Sequence, residues 1–552
     1  MQSPPVVDAA LTRRDVLKAG GAALVTAAVG AHLIPGPAQA QTPKRGGVLR
    51  LCNLLDAVGF DPHQTTSFAT MIPLSFTHSR LVKVKAGPSV KPGTYPLEPD
   101  LAESWTREND TTYVFKLKRG VKWHAKPPVD GRELTAEDVR YTYERFLNTK
   151  NNGNRPTLEL LERVEALDKY TVRFSLKEPY AWFVDALAST STWIVAREAV
   201  EKFGDLKRPE SVIGTGPWML ERWEPNVRMI FTRHPGYFVA GLPYADGVEL
   251  TVDRDPSSRL AAWLAGKFDF APEYQQVVRR LDLPVARQRK PGLQTMDYPW
   301  LVTGYVGCRL ADEPFKDIRV RRALARATSL AEIFESNAFS LGQWVPNPVV
   351  PAGFADWSIP IDQLGPEGKK NFEFSIAEAR RLLGEAGLGG GHKSTLETTA
   401  GYGPDYMDYV QILVKNWKAA GFEVELKLKE YGAFISSTIF GKFDKMMAGL
   451  RANYGEPDSY IARPYSPGSP INIMGVNDAR LNDLIRAQRR TADARKRREL
   501  VYEAQRHICE AGYFGVGGSA RVVSAWDANV RNFGPNNGSD YGGRLMAAWL
   551  DK

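Results

Sequence analysis

An α/β protein built as two lobes is the fold class this sequence predicts, and three observations predict it. The stretch VELTVDRDPSSRLAAWLAGKFD, Val248 to Asp269, returns in altered form as VELKLKEYGAFISSTIFGKFD, Val424 to Asp444. Between the copies lies DYPWLVTGYVGC, Asp297 to Cys308, apolar and aromatic with two glycines, which reads as a strand crossing from one lobe to the other. A chain of 552 residues, 43% hydrophobic and 24% charged, has the length and composition for two or three domains with full cores.

Each copy of the repeated stretch opens on alternating apolar residues, the period of a strand. It then passes through a short polar turn into helical spacing that Gly266 or Gly441 stops. Both re-enter an extended run through Gly-Lys-Phe-Asp, so each is a βα unit and the two lobes are related in build. A cleft between such lobes is where a ligand is expected.

Taken from its start, the chain shows TRRDVLK (Thr12 to Lys18), then an Ala- and Gly-rich apolar run to Ile34, then Pro37-Ala38-Gln39-Ala40. This resembles a twin-arginine export signal, with Val16 where that motif has Phe; the 16-residue run is too short to span a bilayer comfortably. The resemblance makes Arg13 and Arg14 the signal arginines and Ala40 the residue before the cut. Loss of residues 1–40 removes three cationic and two anionic residues and takes the formal charge from +9 to +8, giving a basic periplasmic product. The basic residues cluster as Arg319, Arg321, Arg322 and Arg326 and from Arg486 to Arg498, on segments with helical spacing. They read as solvated helix faces, and nucleic acid is not an expected partner.

Gly46 to Asn53 reads as a strand that Phe60-Asp61-Pro62-His63 breaks. Thr112 to Leu117 is a strand, Arg119-Gly120 a turn, and Thr135 with Asp138 a capping-box helix start. Gly214 and Gly216 around Pro217 set a tight turn into a strand. Ser375 with Glu378 caps a helix that Gly387 stops; Thr491 to Ala511 is a helix, and Gly512 to Ser524 a glycine-rich strand.

The text from Leu97 to Phe146 resembles family 5 of the extracellular solute-binding proteins, which serve peptide, opine and nickel ABC importers. Two further segments carry the resemblance. Ile213 to Phe238 looks like the family's GTGPY segment and following turn, here His234-Pro235-Gly236-Tyr237. Pro314 to Ile333 matches except that Thr328-Ser329-Leu330 replaces an acidic and basic pair. The resemblance implies the two-lobed periplasmic binding protein fold, type II, in its large family 5 form with an extra subdomain in the first lobe. It implies a lobe I core from 46–62, 205–298 and 515–552, an additional subdomain at 63–204, and lobe II at 299–514. It also implies a monomer that delivers a small solute to an inner-membrane ABC permease and its ATPase subunits.

Catalytic constellations are sparse. Gly387 to Ser394 resembles a phosphate loop but has His392 where a glycine belongs; HExxH and GxSxG do not occur. Seven scattered histidines give no i, i+4 pair, and Cys52, Cys308 and Cys509 form no CxxC, so no cofactor and no metal site is expected. His63 and His124 read as turn and packing residues.

Ala448 to Ile461 carries the sharpest ligand signal. Peptide-binding members of the family place an aspartate in a similar motif, pairing with the peptide's α-ammonium, and here that position is Asn453, with Glu456 and Asp458 nearby. An amide cannot neutralise a buried cation. Asn453, Tyr454, Arg451, Tyr305 and Trp344 are the expected ligand residues, with the loop around Phe60 and His63 as a first-lobe contact and Gly304, Gly515 and Gly517 as hinge positions. A periplasmic binding protein without catalysis is the reading, its ligand not a free N-terminal peptide. A conventional di- or oligopeptide binder, a metal-chelate binder and a secreted polymer hydrolase stay open.

Overall fold

Alternation of side chains builds the strands. In Phe422–Leu428, Phe422 and Val424 are buried while Glu423 and Glu425 face out; in Gly247–Val252, Val248 and Leu250 fill the core. The computed structural model describes residues 42–150, 152–273, 277–336, 344–451, 456–513 and 518–552.

Four four-stranded sheets organise the described residues. In the first, Val48–Asn53 pairs parallel with Gly247–Val252, followed by antiparallel Arg228–Arg233 and Trp218–Glu224. The second is an antiparallel sheet of Ala102–Asn109, Thr112–Leu117, Thr171–Leu176 and Leu161–Asp168, with its own apolar core that includes Phe115, Tyr143 and Phe174. Helix Ala136–Asn148 belongs to this core, and the Asp138 carboxylate accepts from the Thr135 backbone N–H at 2.8 Å, as its capping sequence predicts. In the third, Gly518–Trp526 receives Phe270–Ala271, Gln294–Pro299 and Trp344–Pro346. The fourth runs Thr303–Cys308, Met446–Arg451, His392–Thr398, Phe422–Leu428.

Both copies of the repeated stretch form strand, helix and strand, and Phe268 and Phe443 are buried alike. Their return strands diverge: Met446–Arg451 re-enters the sheet of its own unit, whereas Phe270–Ala271 joins Gly518–Trp526 in a different sheet. Asp297 to Cys308 is not one crossing strand. It is Gln294–Pro299 in the third sheet and Thr303–Cys308 in the fourth, broken at Trp300, Leu301 and Val302. That break is held from both sides, because Asn537 Oδ1 accepts from the Leu301 N–H and Tyr460 donates to the Leu301 carbonyl at 2.7 Å.

Three expectations change. Gly214 and Gly216 are required by close approach rather than by a turn: a Cβ at Gly214 would stand 1.9 Å from the Thr77 carbonyl oxygen, and one at Gly216 2.5 Å from the Thr77 carbonyl carbon. The arginine rows are not simply solvated faces. Arg321 donates to the Ala511 and Gly512 carbonyls and Arg322 to that of Glu510, so both cap the C-terminal end of helix Ala494–Glu510, where cations are favoured. Arg489 is buried, with its Nε donating to Asp458 at 2.8 Å, and Arg497 lies 4.2 Å over the Trp182 ring. Helix Ala494–Glu510 also starts after Asp493, later than Thr491, which instead ends helix Ala479–Arg490. The three cysteines are free and buried, and burial pushes the Cys52 and Cys308 thiols up to about 12.

Candidate functional site

The strand break at Trp300 to Val302 floors a cavity with about 110 Å³ of space for water. Its first wall comes from Leu54, just past the strand Val48–Asn53, and from Thr66, Ser67 and Phe68, at the start of helix Phe68–Thr77. Its second wall comes from adjacent strands of the fourth sheet, which supply Tyr305, Leu450 and Arg451, and from Tyr402, Tyr431, Ile435 and Ile439. Helix Tyr431–Ser436 carries Tyr431 and Ile435, and the turn Thr438–Phe440 that follows Ser437 carries Ile439. The walls touch where Ser67 Oγ and Tyr431 Oη share a hydrogen bond of 3.0 Å.

Besides the hydroxyls of Thr66, Ser67, Tyr305, Tyr402 and Tyr431, the charged groups on the described lining are two cations. The Arg451 guanidinium lies 4.4 Å over the Tyr305 ring, which places the flat cation on the ring's negative face, and it also reaches the Tyr465 hydroxyl. Gly449, opposite Tyr305, makes room for that ring: a Cβ there would come within 3.1 Å of it. No described carboxylate forms an ion pair with Arg451. Arg463, 6% exposed, donates to the Gly153 carbonyl at 2.6 Å and to Asn154 Oδ1 at 3.2 Å. Burial, opposed by the nearby Glu456 and reinforced by repulsion from Arg451, pushes its guanidinium down to about 10, still cationic at neutral pH.

The nearby acids have partners of their own, although Glu456 also acts on Arg463. Asp458 receives Arg489, which also pairs with Glu159. Glu456 accepts from the Ser459 N–H at 2.7 Å, and burial, reinforced by Asp458, raises its carboxyl well above the usual range. Neither lines the cavity, and no carboxylate stands among its described lining residues.

Of the residues expected from the sequence, the structure brings Tyr305 and Arg451 together at the cavity. Trp344 instead stacks on Phe334, ring centroids 5.0 Å apart, and is not among the lining residues. Phe60 packs edge-on against Trp223, and His63 is buried against Phe146 with its Nδ1 accepting from Arg145; neither lines the cavity, whereas residues 66–68 just beyond that loop do. Gly304 packs on Tyr409, where a Cβ would stand 2.8 Å from the ring. Asn453, Tyr454, Gly515, Gly517, Arg13, Arg14 and Ala40 lie outside the described residues. Sequence reasoning passed over Trp300, Tyr431 and Arg463. Trp300 stood in the crossing stretch and Tyr431 in the second repeat copy, both already singled out; Arg463 lies two residues past the Ala448 to Ile461 stretch. Thr66, Ser67 and Phe68 carry no local signal. Among the described residues no group of three His, Cys, Asp or Glu side chains could hold a metal ion, and no helix is long and apolar enough to cross a membrane.

Comparison with known proteins gives a consistent set. The family described as bacterial extracellular solute-binding proteins, family 5 middle, matches residues 96–471. Di/tripeptide-binding protein 3 of Pseudomonas aeruginosa (strain UCBPP-PA14) is 30% identical over 489 residues, 83% of this chain and 87% of that protein. The periplasmic oligopeptide-binding protein OppA of Salmonella typhimurium is 25% identical over 94% of this chain and 95% of its own length. In fold, the chain is similar to the periplasmic binding protein DppA of Helicobacter pylori in complex with peptide STSA (TM-score 0.80, 21% identity, 92% and 99% of the two chains). It is similar too to the binding protein AgaA of A. tumefacien R10 in complex with agropinic acid (TM-score 0.78, 20% identity, 92% and 99%). At these identities the solved structures speak for the fold alone.

Proposed function

The chain belongs to family 5 of the bacterial extracellular solute-binding proteins, and from that premise we propose that it is the solute-capturing subunit of an ABC importer. It holds its ligand between two hinged lobes, without catalysis, and presents the closed form to a permease that works with ATPase subunits. The lobes divide as 46–62, 205–298 and 515–552 for the first core, 63–204 for its additional subdomain and 299–514 for the second, with Gly304, Gly515 and Gly517 at the hinge. The ligand residues are Arg451, Tyr305, Asn453 and Tyr454, joined by Arg463. The ligand is neutral or anionic where it meets them, not a peptide held by a free N-terminus.

One observation carries the ligand reading: the cavity presents two guanidiniums and no carboxylate among its described lining residues. An α-ammonium placed there would be buried without a counter-charge, which costs about 3–5 kcal/mol, several hundredfold or more in affinity. The name of the 30% identical relative favours the second reading, a conventional di- or tripeptide binder. Calorimetry with dipeptides and tripeptides and their N-acetylated forms separates them. Submicromolar binding of free peptides that acetylation abolishes would overturn the first reading in favour of the second.

Export is by the twin-arginine route to the periplasm with cleavage after Ala40, a reading that rests on the TRRDVLK motif. Normal processing after Arg13 and Arg14 are both replaced by lysine would contradict it.

A further inference from the structure

We propose that the arginines at 489, 490 and 497 form one half of a latch, outside the cavity, that holds the additional subdomain (63–204) against the second lobe when the protein is unliganded. The proposal rests on the two-lobed reading and on the division of the chain given above. It goes beyond them by naming a contact that controls the motion.

Three cations of the second lobe meet an acidic and aromatic face of the subdomain. Arg489 pairs with Glu159 and Arg490 with Glu178, while Arg497 lies 4.2 Å over the Trp182 ring with Asp185 near enough to favour its charge. The Trp182 indole N–H donates to Gln488 Oε1 at 2.8 Å, and its ring meets Trp357 edge-on at 4.8 Å. The Ala181 N–H donates to the Arg489 carbonyl at 2.6 Å. Tyr180, Trp182, Asp458, Gln488 and Arg489 are all buried, so the centre of the contact excludes water, and Arg490 stays half-exposed at its rim. None of these residues lines the cavity.

Two features make this a contact that opens. The first is where the buried charge finds its partner. Asp458 accepts from Arg489 and from Gln488, and all three belong to the second lobe. Parting the surfaces therefore returns the part-exposed Glu159 and Glu178 to water and leaves the buried ion pair intact. Breaking a buried pair is the costly event, and separation here does not break it. The second feature is the contrast with the subdomain's other interface. Toward the first lobe it packs backbone on backbone. The Gly216 N–H donates to the Thr77 carbonyl at 2.9 Å, the Gly542 N–H donates to Ser75 Oγ at 2.8 Å, and a Cβ at Gly542 would stand 1.8 Å from the Ser75 carbonyl oxygen. At the latch, side chains make the contact apart from the single Ala181 bond. The subdomain thus travels with the first lobe, and the latch is the surface that parts. Opposite charges on its two faces draw them together before the short-range contacts form.

The test uses the unliganded chain from residue 41, carrying Glu178→Arg, Arg490→Glu or both, in small-angle scattering and in hydrogen exchange read by mass spectrometry. Each single reversal sets like charges against each other at the rim. It should enlarge the radius of gyration and speed deuterium uptake in the peptide that contains Ala181 by about threefold or more. The double exchange restores an opposite pair with its signs swapped and should recover most of both changes. Uptake in strand Thr171–Leu176 of the same subdomain should stay as it is, which separates opening from unfolding. Gly153→Val, which disturbs a contact across the cavity, is the reference. If it enlarges the particle and the charge reversals do not, the lobes move and the latch is wrong; if neither does, lobe motion itself is wrong, and the latch with it. Enlargement by the reversals supports the latch whatever the reference does, provided that uptake at Ala181 rises as well. Uptake that rises equally in Thr171–Leu176 would make the contact part of the subdomain's own fold, and a double exchange that recovers nothing would show that Glu178 and Arg490 do not act on each other. Either result overturns the proposal.

Discussion

His124 shows how a single side chain can be read from its partners. Its Nδ1 accepts from the Gly214 N–H and its Nε2 donates to the Gly216 carbonyl, each at 3.2 Å, an arrangement that requires the neutral ring. Burial, with His234 edge-on 4.8 Å away, holds its pKa well below the ordinary value of 6.5. Burial likewise lowers His63 to about 3 and His78 to about 4. For each ring the folded pKa lies below the unfolded one, so the unfolded chain takes up the proton first. Their contribution to stability is therefore complete above about pH 6.5 and is lost as the pH falls toward the folded values. His78 alone accounts for roughly 3 kcal/mol over that window. Ring NMR signals of these three should stay in the neutral position down to about pH 5 while the urea midpoint declines; a midpoint near 6.5 for any of them would refute the burial argument. Packing roles for His63 and His124 were legible in the sequence from their isolation. Their partners, Arg145 for one and the 214–216 backbone for the other, were not.

At the scale of the element, glycines with the same name do different things. Gly384 lies inside helix Ile376–Glu385 with open space where a side chain would go, so Gly384→Ala should stabilise by about 0.5–1 kcal/mol. Gly214 lies against the Thr77 backbone, which cannot yield as a flexible side chain would. Gly214→Ala should cost about 1–3 kcal/mol or more, read as a fall in the urea midpoint at unchanged slope. Equal effects of the two substitutions would mean that the 214–216 segment does not pack on Thr77. The arginine rows make the same point. Helical spacing revealed the helix that carries Arg321 and Arg322, but only packing sets those side chains on the last carbonyls of Ala494–Glu510.

For the whole molecule the decisive contacts cross the cavity. Ser67 meets Tyr431, and Arg463 reaches Gly153, whose own Cα packs so near Phe440 that a Cβ would stand 3.0 Å from that ring. These contacts join the walls in the state described, and loss of them should open it. A ligand at ~100 times its dissociation constant should add about 2.7 kcal/mol of stability if it binds only the folded chain. It should also reduce the radius of gyration in small-angle scattering. Gly153→Val, which props the wall away from Phe440, should weaken ligand binding and enlarge the unliganded particle. A ligand that raises the melting temperature without changing the scattering curve would rule out closure by lobe motion.

By itself the sequence determined the local structure and, through it, the fold class. The period of buried residues gives the strands of both repeat units, Thr135 with Asp138 and Ser375 with Glu378 start their helices, and Gly266, Gly387 and Gly441 adopt the left-handed backbone that ends them. These signals survive in one dimension because their causes act within a few residues. The site is different. Ser67 and Tyr431 are 364 positions apart, and Arg463 acts on Gly153 across 310. Tyr305 and Arg451 become neighbours on the cavity wall only because Thr303–Cys308 and Met446–Arg451 pair in register. Only the tertiary structure decided that Trp344 turns to Phe334, that Asp458 is taken by Arg489, and that the cavity keeps its two cations, because each outcome depends on which distant charge or ring arrives first within a few ångströms.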